Sequence, residues 1–567
     1  MITSKIKFLF KPASENGNTF VKALFISILC VFFTYQCFTP SYLTNDDPGY
    51  SMILSGKMVF NTSTPYILFQ NICYTSSIQY LYSKMPNITW YSMVQVSLLF
   101  VCLLINNCII FKKYPTSFGL FMSILLYVSF FSFFFLRLHF TITSFVLGIT
   151  AFIVLLHSKR SSKKLFSSIL ILVLLLFSSM IRWEAWQLTI LWITLFLVIN
   201  YGMDVLKGKN TQYYKYGFFI LLSSLILCVG FMKIDDHYYK KTANQDYRTF
   251  NFYRAHINDY HDLMYLKRDE RMNLLQKNGW SNNDYEMTMY WMFMDRDVYA
   301  TAKLKSIVDG VNQRELQQQR ISYNIKNLIA YIHKNTLLQF LFVTSIFVLL
   351  FLARGNKNAY LIFLISLLLL IATSMIKKFP PESFYSAIFL MLPFYLIEVG
   401  FIEKRKFFIV IIFSLFAFFQ VQKIKEQSDI NRKEQFLFSQ QLLQITKDTS
   451  HIYLNWAGIN TGFIKPFDHS NLMAKNIIFP GTFAAHPLNL AKIKSVGIQD
   501  LMLEMTTNPR ILVIHKAQNE KQKKEIEIAQ RVYITYVKEH YHIDVKATKI
   551  DSSLNMTIWD YSPQDSF

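Results

Sequence analysis

The sequence is poor in cysteine, and this scarcity excludes a fold held together by disulfides or by a structural metal. Six cysteines occur in 567 residues, five of them lie in apolar runs, and none follows Cys228. A disulfide framework needs paired cysteines, and a structural zinc site needs closely spaced Cys or His ligands. We therefore predict no disulfide framework and assign no metal ligands, although a requirement for a divalent metal is left open.

Glycine and proline are also scarce, with 17 and 14 residues, and no glycine-rich phosphate loop occurs. Nucleotide sites commonly use such loops because their backbone N–H groups surround the phosphates. Transporters with broken helices carry Gly or Pro interruptions around midplane charges, often within internal repeats. The sequence has no evident repeat, so it disfavours both a nucleotide-dependent enzyme and a non-enzymatic transporter or flippase.

Acidic residues are fewer than basic ones, with 36 Asp and Glu against 58 Lys and Arg. Most of the excess basic residues lie in short loops between apolar runs, where Lys and Arg set the orientation of membrane spans. We therefore predict no nucleic-acid partner. Membrane lipids are the expected environment.

Long apolar runs, in contrast, are abundant. Hydrophobic residues make up 52% of the chain, and the mean hydropathy is +0.25. A bilayer core requires about 20 apolar residues per helix. Eleven runs meet that length, at about 21–40, 91–111, 117–136, 138–156, 165–181, 186–203, 216–233, 336–353, 358–376, 384–401 and 406–421. The fold class predicted is an α-helical polytopic membrane protein with about eleven transmembrane helices.

Basic residues alternate between successive loops and so indicate the topology. Every second loop is rich in Lys and Arg, as in Lys112–Lys113 and Lys404–Lys406, whereas the intervening loops are poor in base or balanced by acid. Positive loops face the cytoplasm, so we predict a cytoplasmic N-terminus in the plasma (inner) membrane. The first run lacks a small-residue cleavage site and is expected to remain as a span.

Three large polar segments then share the extracytoplasmic side. Two are loops of a transmembrane domain at 1–424: the loop 41–90, with a semi-apolar stretch Pro65–Tyr82 expected as an interfacial helix, and the helical loop 234–335. The third, 425–567, alternates helix-like and strand-like segments, with a helix expected at 484–505, a strand at Arg510–Ile514 and a helix at about 518–540. This alternation predicts a C-terminal extracytoplasmic α/β domain.

Two adjacent carboxylates, Asp46 and Asp47, follow the first span directly. Carboxylates at the mouth of a bilayer are costly and are usually functional, and a neighbouring carboxylate raises a pKa towards the value that a general base needs. The residue types of the stretch Asn45–Gly49 also favour a turn, because Asn and Asp side chains hydrogen-bond their own backbone, so a purely structural role of the two acids stays open.

Cations at the predicted extracytoplasmic ends of spans are candidate ligands for phosphate or substrate, although snorkelling is the commoner role of a single Lys or Arg. They lie in three short connections between or after spans and in the loop 234–335. In that loop His256 and Asp259 are expected on one helical face, and a solvated surface helix is the alternative there. The candidates, with the groups beside them, are Arg137, His139, Arg182, Glu184, Arg254, His256, Lys377 and Lys378.

The acid pair after span one, the interfacial stretch, the many spans and the C-terminal domain resemble the GT-C superfamily of membrane glycosyltransferases. Segments such as Asn45–Asp47, Ile53–Gly56 and Trp90–Tyr91 are similar to bacterial members of that group. The resemblance implies an inverting transfer from a polyprenyl-phosphate-linked sugar donor, with Asp46 or Asp47 as general base. The Trp-Trp-Asp signature of oligosaccharyltransferases is absent, which argues against a peptide acceptor.

We therefore expect a glycosyltransferase that acts on a lipid-linked or cell-surface glycan. An O-antigen polymerase or ligase is the first alternative, and Arg254 and His256 would matter most in that case. A glycolipid transporter or flippase is the second alternative.

Overall fold

The structure is a computed structural model that describes residues 19–58, 62–158, 164–311, 326, 357–376, 406–456, 458–469, 476–516, 519–554 and 556–564. The helices of its first 240 residues are α1 (Thr19–Cys37), α2 (Asp46–Ser55), α3 (Ile72–Lys84), α4 (Trp90–Lys113), α5 (Thr116–Leu136), α6 (Phe140–Ser158), α7 (Lys164–Ile181), α8 (Trp183–Leu206) and α9 (Gln212–Lys240).

All of these except α2 and α3 are long and apolar enough to cross a membrane, which makes seven candidate spans in the described ranges. They confirm the first seven predicted runs, and the chain is a helical polytopic membrane protein. The runs at 336–353 and 384–401 lie outside the described residues. Helix α6 is almost entirely buried, as expected of a central helix that is apolar on all sides.

Small residues let the central helices approach closely. Ser144 and Ser178 each donate a hydrogen bond to the other's backbone carbonyl, at 2.7 and 2.9 Å, and so join α6 to α7. At Gly148 an added Cβ would lie 2.6 Å from the Thr189 side chain on α8. Small and hydroxylated residues are the usual contacts between membrane helices. These contacts hold the α7–α8 junction against the start of α6.

Shorter helices follow α9, which itself runs seven residues beyond the apolar run 216–233. They are α10 (Asn244–Asn258), α11 (Arg268–Lys277), α12 (Asn282–Met289) and α13 (Thr301–Asp309), with a 3-10 turn at Asp262–Tyr265. The helical character expected of the loop 234–335 is confirmed as far as residue 311. Helix α14 (Lys357–Ile376) then matches the predicted run 358–376.

Helix α15 (Lys406–Lys447) has 42 residues and continues from the apolar run 406–421 into the polar part of the chain. It passes through the predicted domain boundary at 424–425 without a break. Three of its buried side chains form hydrogen bonds with the backbone of the segment after α1. Ser428 accepts from the Thr39 N–H. Asn431 and Gln435 donate to the carbonyls of Thr39 and Pro40, respectively. The helix thereby joins the C-terminal domain to the start of the 41–90 loop.

The C-terminal domain contains a five-stranded mixed sheet of order β4-β3-β5-β7-β6. Its strands are β3 (Ile452–Asn455), β4 (Ile477–Ile478), β5 (Ile511–His515), β6 (Val545–Ser553) and β7 (Met556–Pro563), and its helices are α16 (Pro487–Ser495), α17 (Leu501–Thr507) and α18 (Glu520–Tyr541). Strands β4, β3 and β5 are parallel, whereas β7 is antiparallel to both neighbours. The α/β prediction is confirmed.

One helix predicted at 484–505 is two helices in the structure. Gly497 adopts a φ of +85° after α16, and Asp500 then caps α17 by accepting from the N–H groups of Met502 and Leu503. A left-handed glycine ends a helix and an Asp N-cap begins the next one. The apolar periodicity continues across both helices, which is why the sequence suggested a single one.

Candidate active site

The acidic pair begins helix α2 (Asp46–Ser55), which we call the acid helix. Two residues of β1 (Ser41–Tyr42) pair in parallel with β2 (Arg137–Leu138), and the Leu43 N–H donates to the Leu138 carbonyl at 3.0 Å. This short ladder fixes the chain just before the acids against the connection between α5 and α6. The acid helix therefore lies beside the predicted residues Arg137 and His139.

The C-terminal domain packs against the acid helix and the residue before it. Asn45, directly before the acid helix, accepts a hydrogen bond from the Gly462 N–H at 3.1 Å. An added Cβ at Gly49 would lie 2.6 Å from the Phe483 ring, so glycine permits this close approach. His486 reaches the Tyr66 carbonyl at 3.2 Å. The loop 41–90, the C-terminal domain and α10–α13 thus meet on one side of the membrane body.

The two carboxylates have different environments. Asp47 has no exposed surface, and its Oδ1 accepts hydrogen bonds from Tyr91 Oη at 3.0 Å, Gln95 Nε2 at 3.2 Å and the Phe140 N–H at 3.1 Å. Thr44 Oγ1 approaches its Oδ2 at 3.4 Å. Burial raises the pKa of Asp47 to about 7, against these hydrogen bonds. Asp47 ties the acid helix to α4 and α6.

Asp46 is partly exposed, although protein surrounds it on most sides. Burial raises the pKa of its carboxyl, the positive charges of Arg182 and Arg254 lower it, and Asp259 raises it again. Two arginines that are 72 residues apart in the chain thus both act on the carboxylate of Asp46. Of the two acids, Asp46 is the one that retains exposed surface.

Arg182 is the single residue between α7, which ends at Ile181, and α8, which begins at Trp183. Its side chain is 11% exposed and its Nε lies 2.9 Å from Glu184 Oε2. Its guanidinium stacks over the Phe69 ring, 4.0 Å from the centroid. The Ser144 hydroxyl reaches its carbonyl at 3.3 Å. The helix break and these contacts fix the position of Arg182, whose positive charge acts on Asp46 of the acid helix.

Arg254 is 1% exposed and lies on α10. Nε donates to Asn251 Oδ1 at 2.8 Å, one terminal nitrogen donates to Asn258 Oδ1 at 2.7 Å, and the other lies 3.2 Å from Asp259 Oδ2. Its guanidinium also stacks on an aromatic ring, that of Trp291, at 4.7 Å. A buried guanidinium held on all its edges has a fixed position before any substrate binds.

The two aromatic residues that stack on these arginines both have a positive φ angle. Phe69 has a φ of +70° and Trp291 a φ of +62°, and both side chains remain about 40% exposed, at 41% and 38%. A bulky residue in the left-handed region costs on the order of 1–3 kcal/mol, and such strain concentrates at functional sites. Each arginine beside Asp46 is therefore supported by a strained aromatic residue and paired with a carboxylate.

Tyr260 shows that the two ion pairs are neighbours. Burial raises the pKa of its hydroxyl, and the charges of Glu184 and Asp259 raise it further, while Arg182 and Arg254 lower it. One pair comes from the α7–α8 junction and the other from α10. The structure thereby brings together Asp46, Arg182, Glu184 and Arg254, which the sequence had placed in separate loops.

His139 lies at the start of α6 and is 4% exposed. Its Nδ1 accepts from the Thr141 N–H at 3.0 Å, so Nε2 carries the proton. Burial, followed by the charges of Arg182 and Arg137, lowers the pKa of His139 to about 3. His139 is consequently a neutral hydrogen-bond donor close to the two arginines. Arg137 acts on it from the β2 ladder.

His256 has a different partner from the one expected. It was predicted to share a helical face with Asp259, but α10 ends at Asn258, and His256 Nδ1 lies 2.8 Å from Asp262 Oδ2. Its ring packs against the rings of Phe252 and Tyr260. His256 therefore packs against the Tyr260 ring while its Nδ1 bonds to Asp262. The predicted cations Lys377 and Lys378 lie outside the described residues.

Metal-ligating atoms come together elsewhere. Within the described ranges, the group whose ligand atoms all lie within 4.8 Å of one another is Asp284, Glu539 and His540. His540 Nε2 is 2.7 Å from Asp284 Oδ1, and Ser281 Oγ donates to Glu539 Oε2 at 2.8 Å. These bonds join α12 of the loop 234–335 to α18, so the group is part of the contact between that loop and the C-terminal domain.

Several residues of the site carry no signal in the sequence. Phe69 was expected within an interfacial helix Pro65–Tyr82, but the helix begins only at Ile72, after Asn71 accepts from the Cys73 N–H. Trp291 follows α12 in a turn. Positive φ at aromatic residues follows from tertiary packing, and no local pattern indicates it.

No protein-family model matches the chain, and none of the curated proteins compared with it matches its sequence. Two solved structures are similar to it, both of ArnT from Cupriavidus metallidurans. The apo structure has 9% identity and a TM-score of 0.41. The structure bound to undecaprenyl phosphate has 10% identity and a TM-score of 0.39. Each comparison covers 95% of this chain and 97% of ArnT.

Proposed function

We propose that this protein is a membrane glycosyltransferase that moves a sugar from a polyprenyl-phosphate donor to a hydroxyl of a lipid-linked or cell-surface glycan. The observation that carries the proposal is the pairing of one accessible carboxylate, Asp46, with two fixed arginines, Arg182 and Arg254. Base and cations are the two kinds of group that such a transfer requires.

In the proposed step, Asp46 takes the proton of the acceptor hydroxyl as general base. The acceptor oxygen forms a bond to the anomeric carbon while the bond from that carbon to the phosphate oxygen breaks. The electron pair of the broken bond leaves with the phosphate. Attack from the side opposite to the leaving phosphate inverts the anomeric centre.

Arg182 and Arg254 hold the phosphate and neutralise the charge that it gains on leaving. Arginine is suited to this role because its planar guanidinium donates two parallel hydrogen bonds to phosphate oxygens. Stacking on Phe69 and Trp291 and pairing with Glu184 and Asp259 fix both groups in advance. Donors that are fixed before the reaction lower the barrier because they need not reorganise.

Asp47 has a positioning role in this proposal. Its Oδ1 is occupied by three donors from α4 and α6, and it has no exposed surface with which to meet an acceptor. We assign it to holding the acid helix, and we assign the base to Asp46. We also propose that this side of the protein is extracytoplasmic, since the basic loops are predicted to face the cytoplasm.

The test uses the full-length protein in phospholipid-containing detergent with a panel of radiolabelled polyprenyl-phosphate sugars. Asp46→Asn should lower transfer by about 10²–10⁴-fold, the range for loss of a general base, while binding of polyprenyl phosphate persists. Arg182→Gln and Arg254→Gln should weaken that binding.

Asp47→Asn is the matched control because it changes the neighbouring acid in the same way. It should keep transfer within a few fold of the unmodified protein. Full transfer by Asp46→Asn would contradict the proposal. A polymerase or ligase centred on Arg254 and His256 would instead tolerate Asp46→Asn and lose activity with His256→Gln.

A further inference from the structure

A second cleft lies on the other face of the acid helix. Pro48, Ser51, Met52 and Ser55 line it, and residues spaced by three and four share one face of a helix. Asp46 and Tyr50 belong to the opposite face, where the charge of Asp46 acts on the Tyr50 hydroxyl. The cleft is therefore separated from the proposed transfer site by the width of the helix.

Four parts of the chain build this cleft. The acid helix and Lys57 form one wall, Tyr42 comes from β1, Tyr82 and Thr89 come from the end of α3 and its connection to α4, and the segment Ile464–Asp468 comes from the C-terminal domain. Its volume is about 300 Å³, including space open to solvent. We call it the lysine cleft, after Lys57 and Lys465.

The lining has the chemistry of an anion site. Lys57 and Lys465 supply two positive charges against the single carboxylate of Asp468, and five hydroxyl groups accompany them. Lys57 also donates to the His469 carbonyl, which directs its ammonium group towards the segment 464–468. Burial lowers the pKa of Lys57, and Asp468 raises it. The hydroxyls belong to Tyr42, Ser51, Ser55, Tyr82 and Thr89.

The cleft also lies at the level of a membrane surface. Thr89 directly precedes the candidate span α4, which begins at Trp90, and Tyr82 is in the last turns of α3. Tyr80, on the same helix, is 61% exposed, and Lys84 lies over its ring at 5.5 Å. Exposed Tyr and Lys beside a span are typical of the headgroup region. The headgroup phosphates of anionic phospholipids are the most abundant anions at this depth beside a bilayer.

A chain of polar contacts joins the cleft to the acid pair. Ser51 Oγ lies 3.4 Å from Tyr82 Oη, which accepts from the Tyr91 N–H at 3.1 Å. The Tyr91 hydroxyl in turn donates to Asp47 Oδ1 at 3.0 Å. A ligand that orders Ser51 and Tyr82 would thereby steady the residue that positions the acid helix.

We propose that the lysine cleft binds a phosphoryl group at the membrane surface, supplied by the headgroup of an anionic phospholipid. This site is distinct from the Asp46 centre and goes beyond the proposed transfer reaction. Lys57 and Lys465 contact the phosphate, and the hydroxyls of Ser51, Ser55 and Tyr82 complete its hydrogen bonds.

The test measures which lipid the full-length protein retains. The protein is exchanged into mixed micelles with equal amounts of phosphatidylglycerol and phosphatidylcholine, and the bound lipids are counted by native mass spectrometry. Each Lys→Gln change should lower the ratio of bound phosphatidylglycerol to phosphatidylcholine about fivefold, which is the contribution of one Lys to the binding of an anionic membrane surface. Lys57→Gln and Lys465→Gln are the test variants.

Lys84→Gln is the matched control, because it removes a nearby charge that does not line the cleft. Lys84→Gln measures the loss due to surface charge alone, so its lipid ratio should fall by less than the ratio of either lysine-cleft variant. Ser55→Leu fills the cleft without a change of charge and should lower the ratio as the lysine variants do. An unchanged ratio in both lysine variants, or an equal loss in Lys84→Gln, would overturn the proposal.

Inorganic phosphate in competition separates the two sources of the phosphoryl group. If it displaces phosphatidylglycerol from the unmodified protein, the cleft recognises phosphate alone; if it does not, the acyl chains contribute to binding. Displacement supports a phosphoryl site directly, and without displacement the lysine variants alone decide the proposal. Asp46→Asn should retain the full lipid preference, so failure of the transfer reaction would leave this test intact.

Discussion

The buried carboxyl of Asp47 makes a specific prediction about stability and pH. Burial raises its pKa from 3.8 to about 7, a difference of about three units, and one unit corresponds to about 1.4 kcal/mol. Between pH 4 and pH 7 the folded protein therefore holds a proton that the unfolded chain has lost. Stability should fall as the pH rises through this window, by about 4 kcal/mol for this group in full.

Asp47→Asn should remove that dependence while keeping the structure. All three strong hydrogen bonds end on Oδ1, which the amide oxygen of Asn reproduces. The Asn NH₂ group then takes the place of Oδ2 beside Thr44 Oγ1, which can accept a hydrogen bond. Asp47→Ala, in contrast, leaves Gln95 and the Phe140 N–H without their acceptor, at about 1–3 kcal/mol for each buried group.

The assay is the thermal unfolding midpoint in detergent at a series of pH values from 5 to 8. The difference between Asp47→Asn and the unmodified protein cancels the other titrating groups, and it should grow in favour of Asp47→Asn as the pH rises. Asp47→Ala should be the least stable at every pH. Parallel curves for the unmodified protein and Asp47→Asn would refute this reasoning, as would an Asp47→Asn protein as unstable as Asp47→Ala.

Three other changes have defined outcomes. Trp291→Ala removes the ring beneath Arg254 and should raise the KM for the lipid-linked donor about threefold to tenfold, the scale of a cation–π contact, while the unfolding midpoint changes little; an unaltered KM would exclude a supporting role. Gly49→Ala should destabilise the contact with the C-terminal domain by about 1–3 kcal/mol, because its Cβ meets the Phe483 ring at 2.6 Å, and Phe483→Leu should restore the midpoint if that clash is the cause. His139→Gln should leave the shape of the pH–rate profile unchanged, since burial and two arginines lower the pKa of His139 to about 3 and keep it neutral; loss of an acid limb near pH 6 would contradict this.

The membrane body was predictable because length and apolarity alone decide whether a helix can cross a bilayer. Seven runs that the structure describes agree with the sequence to within a few residues at most of their ends. The end of α9 and the course of α15 were less predictable. Both helices continue with polar residues past the membrane, so hydropathy marks where the apolar part stops and cannot mark the end of the helix.

The candidate residues could be named from the sequence, but their arrangement could not. Asp46, Asp47 and Arg182 are candidates because charge beside a span is conspicuous, and Arg254 is one because it lies close to His256 and Asp259 in the chain. The sequence could not rank the two acids, because the difference arises from donors on α4 and α6 that lie more than 40 residues away.

The aromatic supports were not predictable at all. Phe69 and Trp291 are ordinary aromatic residues in the sequence, and their positive φ angles exist only because surrounding contacts hold them. Strained residues of this kind are where local rules fail and where function is concentrated.

The central claim is that Asp46, and not Asp47, is the general base. Analysis of surface glycans in cells that carry Asp46→Asn or Asp47→Asn, with equal amounts of each protein in the membrane, tests it most directly. The account predicts that one glycan modification disappears in Asp46→Asn cells and persists in Asp47→Asn cells. Persistence of every modification in Asp46→Asn cells, or its loss only in Asp47→Asn cells, would contradict the assignment.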